Sequence, residues 1–262
     1  MKQRRRIQFI IIVLAAFSIY YWARPGRTTA AAVANEQAFQ PLGQVLVTIP
    51  SGRSALAVLD RYQVKVTFEA GQGTFFLASV NIIVIDSAHA PLRAALSFVH
   101  EAHHASVWHQ GLRVDISTLD EAAYAHGRVE EEAVGVVKSI EAKLELAALG
   151  LDVSGLSYPL EDAYRQAADQ ARTAARIRDG QLSQSELDGI VCAAGTAAVV
   201  DGFLIGRVRT SHTRESYLDF YGQCWTKANV VQTLLTPLSE FVYQTVGYDL
   251  VAAAISAVSA SC

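Results

Sequence analysis

The chain has 262 residues, of which 51% are hydrophobic and 18% are charged, and its formal net charge is −3. This composition is sufficient to bury a sizeable core, and the near-neutral charge excludes the basic surface that nucleic-acid binding requires. We therefore expect a globular protein without a nucleic-acid partner.

The first 22 residues predict a membrane segment. A basic cluster over residues 2–6 precedes an apolar run over residues 7–22 that is slightly short of a full bilayer crossing. Both an uncleaved anchor and a signal peptide fit this pattern. We favour the anchor, because the Ala-x-Ala motif at residues 32–34 lies well past the apolar run. The basic cluster predicts a cytoplasmic amino terminus. The remainder is then membrane-anchored outside the cytoplasm, periplasmic or extracellular, or secreted if the segment is cleaved.

Beyond this segment, the hydrophobic pattern predicts an α+β protein in which a small twisted sheet packs on a helix and a mostly helical C-terminal lobe follows. Residues 23–42 are expected to form a linker, residues 43–150 the α+β domain and residues 151–262 the helical subdomain. In chain order we predict a helix over 51–62, strands over 63–69, 74–78 and 81–86, a helix from Pro91, and helical segments over about 158–178, 184–205 and from 216 onward.

The helix that begins at Pro91 carries the sequence His100-Glu101-Ala102-His103-His104, a His-Glu-x-x-His motif. Residues four apart lie one above the other on a helix, so His100 and His104 can bind one metal ion from the same face. Glu101 is then placed to act as a general base toward a metal-activated water. Five of the seven histidines lie within residues 89–109, a concentration that ordinary surface histidines do not explain.

A catalytic zinc site normally has three protein ligands, so a third donor is expected from another segment. The run Glu130-Glu131-Glu132 lies on the next predicted helix. The apolar stripe of that helix is formed by Val129, Ala133, Val136, Ile140, Leu144 and Ala147. At helical spacing Glu131 points nearly opposite this stripe, whereas Glu130 and Glu132 flank it. We predict Glu132 as the third ligand and keep Glu130 as the alternative.

A strand, a His-Glu-x-x-His helix and a glutamate on a second helix together resemble the zincin metallopeptidases, specifically the gluzincin branch. The resemblance covers roughly residues 80–145. In thermolysin-like members the glutamate ligand directly precedes an alanine, which corresponds to Glu132; in other branches it lies three residues before an alanine, which corresponds to Glu130. No longer signature, such as a third histidine six residues after His104, marks a particular peptidase family.

The resemblance implies one Zn²⁺ ion, a peptide or protein substrate, and hydrolysis in which Glu101 is the general base. It also implies a hydrogen-bond donor for the developing oxyanion, commonly a tyrosine or histidine from the downstream subdomain. We name Tyr217 and Tyr221 as candidates, with His212 and Tyr124 as alternatives.

Two further points stay open in the sequence. The alternative to a hydrolase is a non-catalytic binding or scaffolding protein of the cell envelope, with a degenerate or structural metal site. The cysteines Cys192, Cys224 and Cys262 lack the spacing of a zinc site. Outside the cytoplasm Cys192 and Cys224 can form a disulfide, and separate thiols fit the sequence equally.

Overall fold

The computed structural model describes residues 29–178, 182–211 and 213–230 of the chain. These residues contain seven α-helices and three β-strands, which confirms the predicted α+β class. The helices are α1 (Thr29–Leu46), α2 (Pro50–Tyr62), α3 (Pro91–His109), α4 (Glu121–Ala148), α5 (Glu161–Arg178), α6 (Gln184–Leu204) and α7 over residues 217–230. The strands are β1 (Lys65–Glu69), β2 (Phe75–Leu77) and β3 (Ile82–Asp86).

The described chain divides into two units, one that ends at Gln40 and one that begins at Pro41. Within the predicted linker over residues 23–42, α1 is helical from Thr29 onward. The alanines in this stretch explain the helix, since alanine has the highest helix propensity of any residue. The predicted membrane segment over residues 1–22 lies outside the described residues, as do the apolar stretch 250–260, which the sequence predicts to be a core helix, and Cys262.

The three strands form one mixed sheet in the order β1-β3-β2. The central strand β3 pairs in parallel with β1, with Val66 opposite Ile83, and antiparallel with β2, with Phe76 opposite Ile83. Its β-branched residues are buried at 83–85, as expected for a strand with neighbours on both edges. Strand β2 is an edge strand of this sheet. The predicted strands are therefore present, shortened by one or two residues at their ends.

Helix α3 lies between the sheet and α4. Pro91 occupies its first turn, where the missing N–H removes no hydrogen bond. Asp120 caps the start of α4, and its side chain accepts the Ala123 N–H. The two helices are joined through their buried faces, where the Ser139 hydroxyl donates to the Leu96 carbonyl at 2.9 Å. This contact fixes how far α4 can shift along the helix that carries the motif.

Helices α4 to α7 share one buried core. Val129 of α4, Tyr164 of α5, Phe203 of α6 and Tyr221 of α7 all belong to it. The predicted boundary at residue 150 therefore does not separate two cores. Within the described residues, α6 is the one helix long and apolar enough to cross a bilayer, and in the structure it packs against α5 and α4.

Cys192 and Cys224 are not joined by a disulfide. Cys192 donates to a carboxylate oxygen of Glu141 at 2.9 Å, and Cys224 is buried in the shared core. Of the two possibilities that the sequence leaves open for this pair, the structure has the separate thiols.

Candidate metal centre

The motif helix presents His100 and His104 on the same face, one turn apart. Their Nε2 atoms are 2.9 Å apart and the rings meet at an interplanar angle of 61°. Each side chain is nearly buried, with 13% and 14% of its surface exposed. Two imidazole nitrogens approach this closely only when a proton or a cation lies between them, because two bare lone pairs repel each other.

Glu132 reaches the same point from α4. Its Oε1 lies 3.4 Å from Nε2 of His100, and its Oε2 lies 3.4 Å from Nε2 of His104. The three donor atoms lie within 4.8 Å of one another. Two imidazoles and one carboxylate form a ligand set found in catalytic zinc sites, so these residues have the chemistry that a zinc ion requires.

The charges at the cluster also favour a cation. Burial alone would raise the pKa of Glu132, but the imidazoles of His100 and His104 outweigh it and hold the pKa well below its ordinary value. Burial alone would lower the pKa of His104, but its hydrogen bonds to Glu131 and Glu132 raise it to about 10. Glu132 is thus held as an anion, and a positive charge beside it is stabilised.

A glycine makes this approach possible. An ideal Cβ at Gly135 of α4 would lie 2.8 Å from Cε1 and 2.9 Å from Nε2 of His100, closer than side-chain atoms can pack. The imidazole of His100 therefore lies directly against the backbone of α4. Glycine in a helix interior costs about 1 kcal/mol relative to alanine, and this contact is the physical reason for it here.

Glu131 corrects the helical geometry inferred from the sequence. Its side chain does not point away from the core: it is 7% exposed, and its Oε1 accepts the Nδ1–H of His104 at 2.7 Å. Glu130, expected on the buried side, is 51% exposed and lies 3.6 Å from His126, so the structure does not bring it to the cluster. The reason is that α4 packs against α3, α6 and α2, and its buried surface is wider than one apolar stripe.

Glu131 is itself held by a buried cation. Arg128, which is 5% exposed, donates to its Oε2, and the guanidinium of Arg128 lies 4.9 Å from the ring centre of Tyr221. Burial opposes ionisation of Glu131, but His104 and Arg128 together lower its pKa to about 2. A carboxylate that receives the second ring N–H of a metal-binding histidine fixes the tautomer and the orientation of that ring.

Glu101 is buried next to the two histidines, but its hydrogen bond is to the sheet. Its Oε2 accepts the backbone N–H of Phe76, in strand β2, at 2.9 Å. Burial raises its pKa, although His100 and His104 act in the opposite direction. A carboxyl group with a raised pKa is better matched to proton transfer near neutral pH.

The cluster opens onto a cleft with a volume of about 670 Å³. One wall is formed by residues 74–79 and another by residues 113–116, and Tyr217 of α7 lines the cleft. Tyr124 also lines it although it is 3% exposed. Tyr221 is buried under Arg128 and does not line it. His212 lies outside the described residues.

Sequence reasoning missed two features of this centre. The first is the role of Glu131. Metal-binding histidines generally donate their second ring N–H to a carboxylate, and Glu131 is a carboxylate directly beside the predicted ligand Glu132. The interior glycine at 135, three residues after Glu132, is the signal for a close helix approach.

Comparison with protein-family models, with curated proteins and with the solved structures finds no match to this chain.

We expect Gly135→Ala to weaken zinc binding at least about tenfold, because the added methyl group displaces the His100 imidazole. Gly189→Ala in α6 is the matched control, since its Cβ would meet no atom within 4 Å and it gains only helix propensity. Zinc affinity by competition with a chelator and unfolding by urea measure both effects. Equal zinc affinities in the two variants would contradict the role of the close helix approach.

We expect Glu131→Gln to lower zinc affinity about 10- to 100-fold by releasing the orientation of His104. The same change leaves Arg128 without its carboxylate and lowers the free energy of unfolding by about 3–5 kcal/mol. Glu130→Gln, at an exposed position, is expected to change neither quantity appreciably. Zinc titration and urea unfolding of both variants make the comparison, and a similar response of the two would show that Glu131 does not orient the histidine.

Proposed function

We propose that this protein is a zinc-dependent metallohydrolase that cleaves peptide bonds, in the manner of the gluzincin-type zincins that its sequence resembles. The observation that carries the proposal is the meeting of His100, His104 and Glu132 beside an acid-base group, Glu101, at the floor of an open cleft. Zinc bound by the first three residues would supply Lewis-acid polarisation and a nucleophilic water near neutral pH.

Glu101 is the general base in this proposal. The Phe76 N–H holds one of its oxygens, Oε2, in place, and Oε1 is the oxygen that takes the proton. Its raised pKa favours proton uptake at neutral pH. The same residue then returns the proton to the leaving amine.

The edge strand supports a peptide as the substrate. Phe76 lies opposite Ile83 in the antiparallel pair of β2 and β3. Its backbone N–H points away from β3 and donates to Glu101. The unpaired edge of β2 is therefore the edge next to the catalytic groups. Residues 74–79 line the cleft along that edge. An extended peptide can add to such an edge through backbone hydrogen bonds, which would place its carbonyl groups beside Glu101.

Of the two tyrosines that the sequence nominates as oxyanion donors, Tyr217 is the one we propose. It lines the cleft, and burial, assisted by the negative charge of Glu132, raises the pKa of its hydroxyl, so the hydroxyl keeps its proton and can donate. Tyr221 lies behind it, with ring centroids 6.1 Å apart, and we propose that it supports Tyr217 and Arg128 by packing.

We also propose, from the sequence of residues 1–22 alone, that the chain is anchored in a membrane with the cleft outside the cytoplasm. Substrates would then be peptides or proteins of the periplasmic or extracellular space.

Three variants test the function together. Glu101→Gln is expected to retain zinc but to lose peptide cleavage at least about 100-fold, because it removes the base and keeps the ligands. Glu132→Gln is expected to lose both zinc and cleavage, and Glu130→Gln to keep both. Zinc content by atomic absorption and cleavage of a peptide library by mass spectrometry are the measurements.

Two outcomes would overturn the proposal. Cleavage that is undiminished in Glu101→Gln would remove the assigned base. Stoichiometric zinc without cleavage of any peptide by the unaltered protein would favour the non-catalytic binding or scaffolding protein.

A further inference from the structure

Arg113 is a cation that the proposed reaction does not use. It follows α3 in the loop that forms one wall of the cleft, and its side chain is 23% exposed. Its guanidinium carbon lies 5.6 Å from the ring centre of Trp108. Its Nε lies 3.9 Å from Oε2 of Glu131, which is longer than a hydrogen bond.

The carboxylate nearest to Arg113 is already neutralised. Oε2 of Glu131 accepts a hydrogen bond from Arg128, and Oε1 accepts one from His104. A guanidinium has five N–H donors. Arg113 donates no hydrogen bond to a protein acceptor within residues 29–178, 182–211 and 213–230. Arg113 therefore keeps hydrogen-bond donors that no described protein acceptor uses.

The other acid of this wall, Asp115, is not the partner of Arg113. Asp115 also lines the cleft, but its Oδ1 accepts the N–H and the hydroxyl of Ser117. Those two bonds lower the pKa of Asp115, and it makes no ion pair with Arg113 among the described contacts. The guanidinium lies over the Trp108 ring, 5.6 Å from its centre, an arrangement that suits the cationic side chain of arginine.

We infer that Arg113 is a specificity residue that binds a carboxylate of the peptide substrate, through the two-pronged hydrogen bonding that arginine and carboxylates form. Only one carboxylate, that of Glu131, separates Arg113 from His104. An extended peptide advances about 3.3–3.6 Å per residue, so the bound carboxylate belongs to a residue close to the cleaved bond. This inference rests on the proposed function for the cleavage step but not for the binding step.

Two sources supply the same chemistry: the C-terminal carboxylate of a short peptide and the side chain of aspartate or glutamate. Three forms of one N-acetylated tetrapeptide library distinguish them, namely a free C-terminal acid, a neutral C-terminal amide, and an amide with one glutamate. Cleavage by the full-length zinc-loaded protein is followed by mass spectrometry. Binding of the same unlabelled forms is measured separately by isothermal titration calorimetry on full-length Glu101→Gln.

We expect one of the two acidic forms to be cleaved and bound at least about tenfold better than the neutral amide. Selectivity for the free acid identifies the C-terminal carboxylate, and selectivity for the glutamate amide identifies the side chain. Arg113→Gln is expected to abolish the selectivity, and Arg113→Lys to retain only part of it, because lysine keeps the charge without the planar fork. Arg172→Gln, at an exposed ion pair on α5, is the matched control and is expected to keep it in full.

The results separate this inference from the proposed function. Acid-selective binding without any cleavage supports the inference and removes the hydrolase. Cleavage with equal rates for acidic and neutral peptides keeps the hydrolase and overturns the inference, as does selectivity that survives in Arg113→Gln. Absence of both cleavage and peptide binding also overturns it. Zinc content is measured in each variant. A lower zinc content would show that the substitution at Arg113 had disturbed His104 through Glu131.

Discussion

The close approach of α3 and α4 is the constraint on which the candidate centre depends. The imidazole of His100 occupies the volume that a side chain at residue 135 would need, and Ser139 ties α4 to the Leu96 carbonyl. With α4 fixed at this distance and position, the carboxylate of Glu132 comes within 3.4 Å of both imidazoles. A shift of α4 by one residue would rotate that carboxylate by about 100° away from them.

The same helix pair concentrates charge in a nearly dry place. Isolated ions are costly to bury, and they persist only when paired and hydrogen-bonded. Glu131 meets this requirement within the protein, through Arg128 and His104. Among the described residues, the ion pairs of Glu132 are with the imidazoles of His100 and His104, each at 3.4 Å. We therefore regard Glu131 as the acid that stabilises the arrangement, and Glu132 as the acid that a cation completes.

The sequence predicts the parts of this protein that depend on local patterns. The β-branched run at 82–85 and the turn glycines give the sheet, and Pro91 gives the start of the motif helix, because these signals act within a few residues. The spacing of His100 and His104 follows from helix geometry alone. Their closeness to Glu132 also follows once the second helix is assumed to face the first.

The errors arise where tertiary packing decides. Helix α4 contacts other elements on several sides, so a single apolar stripe places Glu131 on the wrong face and Glu130 on the buried one. The stretch that begins at Thr29, which its alanine and threonine content suggests is a linker, is helical. Arg113 is brought to the cleft by a loop, and loop conformation leaves no periodic trace in a sequence.

The account is tested most directly by zinc K-edge X-ray absorption spectroscopy of the full-length protein. It predicts one zinc ion per chain with only nitrogen and oxygen neighbours at about 2.0–2.2 Å, including the outer-shell scattering of two imidazole rings. His104→Ala, which removes one of the three ligands, should lose the zinc, as should Glu132→Gln. A protein that retains no zinc, or a spectrum with a sulfur neighbour at about 2.3 Å, would contradict the centre formed by His100, His104 and Glu132.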